Sequence, residues 1–168
     1  VLIDVHAVSV NPIDWKIRSG RMAGGAPLAA AMITGRDGSG VVAKAGAGLD
    51  PSLAGRRVAF LAPRGVGTWA DQIVMPDANF AVIPDGVSST DAAAMPLAGT
   101  SAFIPLVDIA KVGPGMRVLI HAGAGGVGSL GIQIAKARGA HVIATCSARN
   151  VDFVKSLGAD EVIAYDRT

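Results

Sequence analysis

The feature that most constrains this chain is a glycine-rich turn between an apolar strand and a helical segment. An apolar run at residues 118–120 leads into residues 123–128, which read GAGGVG and match the pattern G-x-G-x-x-G. A helical periodicity follows, and a second apolar run at residues 141–145 closes the unit. Such a unit is typical of dinucleotide sites, because the helix start offers N–H groups and a positive dipole to phosphates. The alternative, an ordinary turn in a chain with 22 glycines, fits this periodicity less well.

Each glycine of this turn has an expected task. Gly123 permits the tight turn, Gly125 lets the backbone approach a pyrophosphate, and Gly128 brings the helix close to the strand. Together with Gly126 and Val127 they form the predicted cofactor-binding segment. The periodicity places Val127, Leu130, Ile134 and Ala137 on one face of the helix that follows.

The end of the second strand predicts which dinucleotide binds. An acidic residue there usually accepts from the ribose 2′-OH of NAD, but none lies between Asp108 and Asp152. The strand end carries Thr145, Ser147 and Arg149 instead, and a hydroxyl and a guanidinium suit a 2′-phosphate. We therefore predict NADP(H) rather than NAD(H). The alternative is that Ser147 caps the next helix and Arg149 is solvated, and both roles can coexist.

Composition excludes several other classes of protein. The 168 residues are 51% apolar and 17% charged, which predicts one folded domain or two small ones. A net charge of +2 without basic runs gives little support for nucleic-acid binding. The most apolar stretch, residues 92–107, is interrupted by Pro96 and Pro105, so we expect no membrane span. The single cysteine, Cys146, argues against a disulfide framework and favours a cytoplasmic location.

The remaining pattern predicts a β-rich region before the glycine turn. A strand over Val1–Val10 precedes a short helix, for which Asn11 is a good N-cap and Pro12 a good first residue. A small-residue loop is expected over Gly20–Thr34. Further strands are predicted at residues 37–45, 57–62, 70–75, 80–84 and 161–165, and further helices at residues 89–95, 99–111 and 150–157.

Six ordered motifs carry a family resemblance. They read VNPIDWKIRSG, ITGRDGSGVV, GTWADQIVMP, AAAMPLAGTSAF, RVLIHAGAGGVG and SLGADEVIAY. The chain resembles the medium-chain dehydrogenase/reductase superfamily, and within it the zinc-free quinone oxidoreductases. This implies an α/β fold with a GroES-like β-rich barrel domain at residues 1–98, lacking its first strand. Residues 99–168 would form the first half of a Rossmann domain, a doubly wound parallel sheet. The expectation is a fragment, or a sheet completed by a partner chain.

The resemblance also bears on metals. Zinc-dependent relatives have a cysteine and a histidine where this chain has Asn11 and Arg36, and their four-cysteine lobe is absent here. A zinc site needs about four Cys, His or carboxylate ligands. We therefore expect no metal.

By resemblance, the reaction is hydride transfer from NADPH to a quinone or an α,β-unsaturated carbonyl compound, in a homodimer. Asn11 would reach the nicotinamide end of the cleft or act as a plain helix cap, and Lys16 would donate to an enolate oxygen or be solvated. Ser101 would take the place of a family threonine near the cofactor. Tyr165 would help to hold the 2′-phosphate or simply pack on its strand.

Two alternatives remain open from the sequence. One is an enoyl reductase module that acts on acyl-thioesters. The other is a protein that binds NADPH without catalysis.

Overall fold

The computed structural model describes residues 1–23 and 32–167, which divide into two compact units, Val1–Leu97 and Ala98–Thr168. The expected loop over Gly20–Thr34 falls partly on residues 24–31, which lie outside the described residues. Its described start is a 3₁₀ turn, Arg21–Ala23.

The first unit is built on an antiparallel five-stranded sheet in the order β4-β1-β2-β3-β5. Its strands lie within the predicted stretches and are β1 (Leu2–Val8), β2 (Asp37–Lys44), β3 (Arg57–Leu61), β4 (Gln72–Val74) and β5 (Phe80–Val82).

Alternation along these strands places apolar side chains on one buried face. Ile3 lies opposite Val42 of β2 and Ile73 of β4, and all three are buried. Val58 and Phe60 of β3 complete this cluster. Each fully buried side chain of this size contributes about 1.5–3 kcal/mol relative to exposure, so this cluster holds the unit together.

Helix α1 (Pro12–Arg18) begins directly after Asn11, as predicted for an N-cap. The Asp14 carboxylate accepts the backbone N–H of Asn11 at 2.6 Å, which satisfies a donor at the helix start. The helix stops at Ser19, and Gly20 follows with φ +75°, a conformation that glycine adopts without strain. Local chemistry therefore fixes both ends of α1.

Two helices follow the first sheet. Helix α2 (Ser89–Ala93) is capped by Ser88, whose hydroxyl accepts the N–H of Asp91 at 3.0 Å. Helix α3 (Pro96–Phe103) begins earlier than the predicted residue 99, because proline suits the first helical turn. It continues as a π-helical segment, Ile104–Ile109, so the predicted end at Lys111 is two residues too late.

The second unit contains a parallel three-stranded sheet in the order β6-β7-β8, with β6 (Arg117–Ile120), β7 (His141–Cys146) and β8 (Glu161–Ala164). Helices α4 (Gly126–Ala137) and α5 (Val151–Ser156) connect the strands. Ala144 of β7 lies in register with Ile120 of β6 and Val162 of β8. Because the strands are parallel, their carboxyl ends meet at one edge, and the glycine turn lies there.

The apolar face of α4 that the sequence indicates is only partly buried, since Leu130 and Ile134 are half-buried. Val127 is 48% exposed and Ala137 is also exposed, whereas Ile132 and Ala135 are fully buried beside Gly128. Because α4 packs closely on the sheet at its first turn, its glycines and alanines, together with Ile132, are the residues that face the sheet. Apolar periodicity alone did not reveal which of two apolar faces meets the sheet.

Over residues 1–23 and 32–167, no helix is long and apolar enough to cross a membrane.

Candidate nucleotide-binding site

The tight turn after β6 is made by Ala122 rather than by Gly123. Ala122 has φ +53°, in the left-handed region, and its carbonyl oxygen accepts the N–H of Gly125 at 2.8 Å. Residues with a Cβ rarely adopt this conformation, so the turn holds Ala122 under strain. The expected task of Gly123 is therefore corrected, because the strained position lies one residue earlier.

Gly123 and Gly128 are required for close packing. A methyl group on Gly123 would lie 3.0 Å from Cδ1 of Ile132 and 3.1 Å from Cβ of Ala144. On Gly128 it would lie only 2.3 Å from the Ala122 carbonyl oxygen. Gly128 thus brings the first turn of α4 against the turn backbone, as the sequence predicts.

Gly125 faces open space. A methyl group there would meet only the Ala122 carbonyl oxygen, at 3.2 Å, within 4 Å. Gly125 also precedes α4, and no side chain caps this helix start. The first N–H groups of a twelve-residue helix therefore lie beside an open backbone, where partial positive charge favours an anion.

Two cavities of the second unit meet at this turn, and both border Ala122 and Gly125. The smaller, of about 190 Å³, reaches the ends of β7 and β8. The larger, of about 390 Å³, is mainly apolar and reaches α3. A ligand with two ends and a central anionic group would fit with that group on the turn and one end in each cavity.

The smaller cavity brings together polar groups from two strand ends. Ser147 and Tyr165 line it, and so does Asn150, whose side-chain amide donates to the Ser147 hydroxyl at 3.0 Å. Sequence reasoning missed Asn150, although its polar side chain at the start of α5 was a usable signal. Arg149 is exposed on the same 3₁₀ turn and is not among the lining residues.

A second residue that sequence reasoning missed is Asp166. Its carboxylate accepts the N–H of Ala148 at 2.8 Å, on the turn that carries Arg149. Burial, and then the charge of Asp166, raise the pKa of the Cys146 thiol. No acid lies between Asp108 and Asp152 in the sequence, but the parallel sheet brings Asp166, which follows β8, to this edge.

Thr145 contacts the turn itself. Its hydroxyl accepts the N–H of Ala122 at 3.2 Å, and its carbonyl oxygen accepts the N–H of Gly123 at 2.8 Å. Thr145 is not among the residues that line either cavity.

Asn11 is tied into the first unit by its amide. Nδ2 donates to Oδ1 of Asp37 at 2.9 Å and to the Ser9 hydroxyl at 2.7 Å. The fully buried Asp37 accepts the N–H of Leu97 at 2.8 Å through its other oxygen. Both amide hydrogens of Asn11 are therefore used within the first unit.

Lys16 and Ser101 belong to different units. Lys16 is exposed on α1, with its ammonium 5.9 Å from the ring centre of Trp15, and the Arg21 guanidinium lies 5.0 Å from the same ring. Ser101 lies on α3 and lines the larger cavity of the second unit.

Within residues 1–23 and 32–167, no group of three or more His, Cys, Asp or Glu side chains could hold a metal ion. Arg36, at the position of the zinc-binding histidine, instead donates to the carbonyl oxygen of Pro63 at 3.1 Å.

A β-rich unit followed by a parallel sheet, with a glycine-rich turn at the carboxyl edge of that sheet, is the architecture of the medium-chain dehydrogenases/reductases. Residues 1–85 match the alcohol dehydrogenase GroES-like domain, and residues 126–168 match the family described as zinc-binding dehydrogenase. The chain therefore belongs to the medium-chain dehydrogenase/reductase superfamily. The predicted family and fold class are confirmed.

Individual relatives agree with this assignment. The chain is 39% identical to the chloroplast envelope quinone oxidoreductase homolog of Arabidopsis thaliana, over 98% of its own length and 52% of the relative. It is 35% identical to the trans-enoyl reductase pgmF of Aspergillus terreus, over 100% of its own length and 49% of the relative. The chain thus spans about half the length of the curated relatives that it matches.

Solved structures show the same relationship. The quinone oxidoreductase of Coxiella burnetii is 37% identical with a TM-score of 0.85, over 99% of this chain and 54% of that one. The Escherichia coli quinone oxidoreductase complexed with NADPH is 31% identical with a TM-score of 0.87, over 99% of this chain and 50% of that one.

Proposed function

We propose that the protein is a zinc-independent reductase that transfers a hydride from NADPH to a quinone or an α,β-unsaturated carbonyl compound. The observation that carries this proposal is the pair of cavities that meet at the open backbone of Gly125. The family membership and the NADPH complex of the E. coli relative support it.

The residues at the turn fit a dinucleotide. Gly125, Gly126 and Val127 would receive the pyrophosphate at the helix start, where N–H groups and the helix dipole favour negative charge. The smaller cavity, with Ser147 and Tyr165, would take the adenosine ribose and its phosphate. When bound, NADPH supplies the hydride through its nicotinamide ring.

The protein's own contribution is orientation and charge stabilisation. The larger cavity is lined by apolar residues such as Leu106, Leu119 and Val127, which would exclude water from a bound ring. Ser101 places a hydroxyl at the border of this cavity. Because the acceptor oxygen gains negative charge, a hydrogen-bond donor beside it lowers the barrier, and we assign this role to Ser101 or Lys16. Asn11, whose amide is bound to Asp37, would act as a positioning residue by holding the start of α1, the helix that carries Lys16.

The direct test is NADPH oxidation by the full-length protein against a panel of quinones and enones. We expect turnover with at least one class, faster with NADPH than with NADH, and no change on adding a chelator. Absence of NADPH binding at millimolar concentration would refute the proposal. A rate that depends on added zinc would refute its zinc-independent part.

An enoyl reductase that acts on acyl-thioesters is the second candidate, favoured by the 35% identity to the trans-enoyl reductase pgmF. The same assay distinguishes the two when enoyl-thioesters are included. Turnover of thioesters alone would favour this candidate. Tight NADPH binding without turnover of any acceptor would instead indicate a non-catalytic NADPH-binding protein.

Compartment and assembly complete the proposal. We assign the protein to the cytoplasm, on the support of its single cysteine, Cys146, which is buried and unpaired. The proposed homodimer rests on the family resemblance alone. Light scattering of the full-length protein under reducing conditions tests the dimer, and a monomeric mass would refute it.

A further inference from the structure

We propose that Thr145 is a positioning residue, which holds the phosphate-binding turn in shape through Ala122 rather than by contact with the nucleotide. This inference rests on the proposed function of the turn as a dinucleotide site. It concerns the backbone that would receive the pyrophosphate.

The need for such a residue follows from the conformation of Ala122. Its φ of +53° is unfavourable for a residue with a Cβ, so the turn requires contacts that hold it there. The chain contains 22 glycines, and nine of those within residues 1–23 and 32–167 adopt positive φ, yet this turn has alanine at the strained position.

Thr145 supplies the holding contacts from the neighbouring strand. Its hydroxyl accepts the N–H of Ala122 at 3.2 Å, and its carbonyl oxygen accepts the N–H of Gly123 at 2.8 Å. One residue thus binds two successive N–H groups of the turn. The same hydroxyl lies 3.3 Å from Nδ1 of His121, which accepts its hydrogen when the imidazole carries its proton on Nε2.

The orientation of the Ala122 peptide determines the positions of Gly125 and of the first turn of α4. Its carbonyl oxygen accepts the N–H of Gly125 at 2.8 Å and occupies the space beside Gly128. Rotation of the Ala122 peptide would therefore move both the open backbone of Gly125 and the first turn of α4. Thr145 itself lines neither cavity, so its effect reaches the ligand only through this backbone.

The first test compares Thr145→Val, which keeps the shape and removes the hydroxyl, with Thr145→Ser, which keeps the hydroxyl. Fluorescence titration of the full-length protein with NADPH and NADH should show a loss of roughly five- to tenfold for valine, equal for the two nucleotides, as expected for one lost hydrogen bond. Serine should stay within about twofold of the unmodified protein. A loss for NADPH alone would overturn the inference, because it would place the hydroxyl on the 2′-phosphate.

The second test uses glycine to release the strain. In Ala122→Gly the left-handed conformation no longer needs holding, so adding Thr145→Val should change the affinity for NADPH by less than about twofold. If the effects of the two substitutions on the affinity for NADPH were fully additive, the inference would be overturned.

A readout in nucleotide-free protein separates this inference from the proposed function. Amide hydrogen exchange of Ala122 should be at least about tenfold faster in Thr145→Val, with Gly123 unchanged because its carbonyl partner remains. Unchanged exchange at Ala122 would refute the positioning role. Failure of the unmodified protein to bind NADPH would refute the proposed function, whatever the exchange shows.

Discussion

The side-chain amide of Asn11 donates to the carboxylate of Asp37 at 2.9 Å, across 26 positions of sequence. An ionised Asp37 carboxylate can only accept hydrogen bonds, so the side-chain amide of Asn11 must direct its NH₂ group toward it. The other carboxylate oxygen accepts the N–H of Leu97 at the start of α3. A single buried acid thereby joins the start of α1, strand β2 and the start of α3. The motif residue Asn11 is thus part of the support of the fold as well as a candidate for the site.

Removal of this acid should destabilise the first unit. In Asp37→Ala the N–H of Leu97 and the amide of Asn11 lose their buried acceptor, which costs about 2–4 kcal/mol of the free energy of unfolding. Urea denaturation followed by circular dichroism measures the change. Asp85→Ala, at an exposed position, is the control and should stay within about 0.5 kcal/mol. Equal stability of the two variants would show that the Asp37 contacts contribute nothing net.

A methyl group at Gly128 should abolish dinucleotide binding. Gly128→Ala places Cβ 2.3 Å from the Ala122 carbonyl oxygen, so the turn or the helix must move. Gly99→Ala, in helix α3, is the control, because the nearest neighbour of its Cβ would be a methyl group of Leu130 at 4.0 Å. Calorimetric titration with NADPH should show no measurable binding for the first variant and a change below about threefold for the second, since its Cβ meets only ordinary van der Waals contact. Comparable affinities would mean that close packing at Gly128 does not shape the site.

Discrimination between NADPH and NADH should depend on Ser147 and Arg149. The double variant Ser147→Ala/Arg149→Ala is expected to lose roughly tenfold in affinity for NADPH, because charge-assisted hydrogen bonds to the 2′-phosphate disappear. NADH lacks that phosphate and should bind almost unchanged. Competition titration with both nucleotides gives the ratio, and an equal loss for both would contradict the assignment.

Asp166 should act in the opposite direction. Its carboxylate holds the Ala148 N–H on the same turn as Arg149, so its charge opposes a phosphate there. Asp166→Asn is expected to increase the affinity for NADPH about two- to fivefold at low salt, and less at high salt, with NADH unaffected. Asp152→Asn, an exposed acid in the first turn of α5, is the control. Weaker NADPH binding in Asp166→Asn would show that the contact to Ala148 matters more than the charge.

Low pH should reduce the stability of the second unit through protonation of Asp160 and Glu161. A hydrogen bond from Lys136, followed by one from the Val142 N–H, holds the pKa of Asp160 below its ordinary value of 3.8. His141 and then Arg117 hold the pKa of Glu161 below 4.5.

Because both pKa values are lowered by folding, this stabilisation is complete above these ordinary values and is lost as the pH falls through the folded ones. The melting temperature should therefore fall below a pH of about 4.5, and less steeply in Asp160→Asn/Glu161→Gln. Parallel pH profiles for the variant and the unmodified protein would exclude these two groups as a cause.

Local chemistry explains why some elements could be predicted and others could not. The start of α1 follows from Asn11 and Pro12, since capping depends on adjacent residues. The start of α3 at Pro96 was missed, although proline at a first helical position is also a local signal. The fully buried face of α4 could not be read from the sequence, because two faces are apolar and only packing against the sheet selects Ile132 over Val127.

The sequence by itself determined the family, the order of the elements and the location of the glycine-rich turn, since these depend on glycine spacing and on periodicity along the chain. Only the tertiary structure decided which residues meet at the turn. Parallel strands bring Thr145 to Ala122, and Asp166 to the turn of Arg149, over separations in sequence that no local pattern records. Strand register, set by burial of the sheet's two faces, is the physical reason for both contacts.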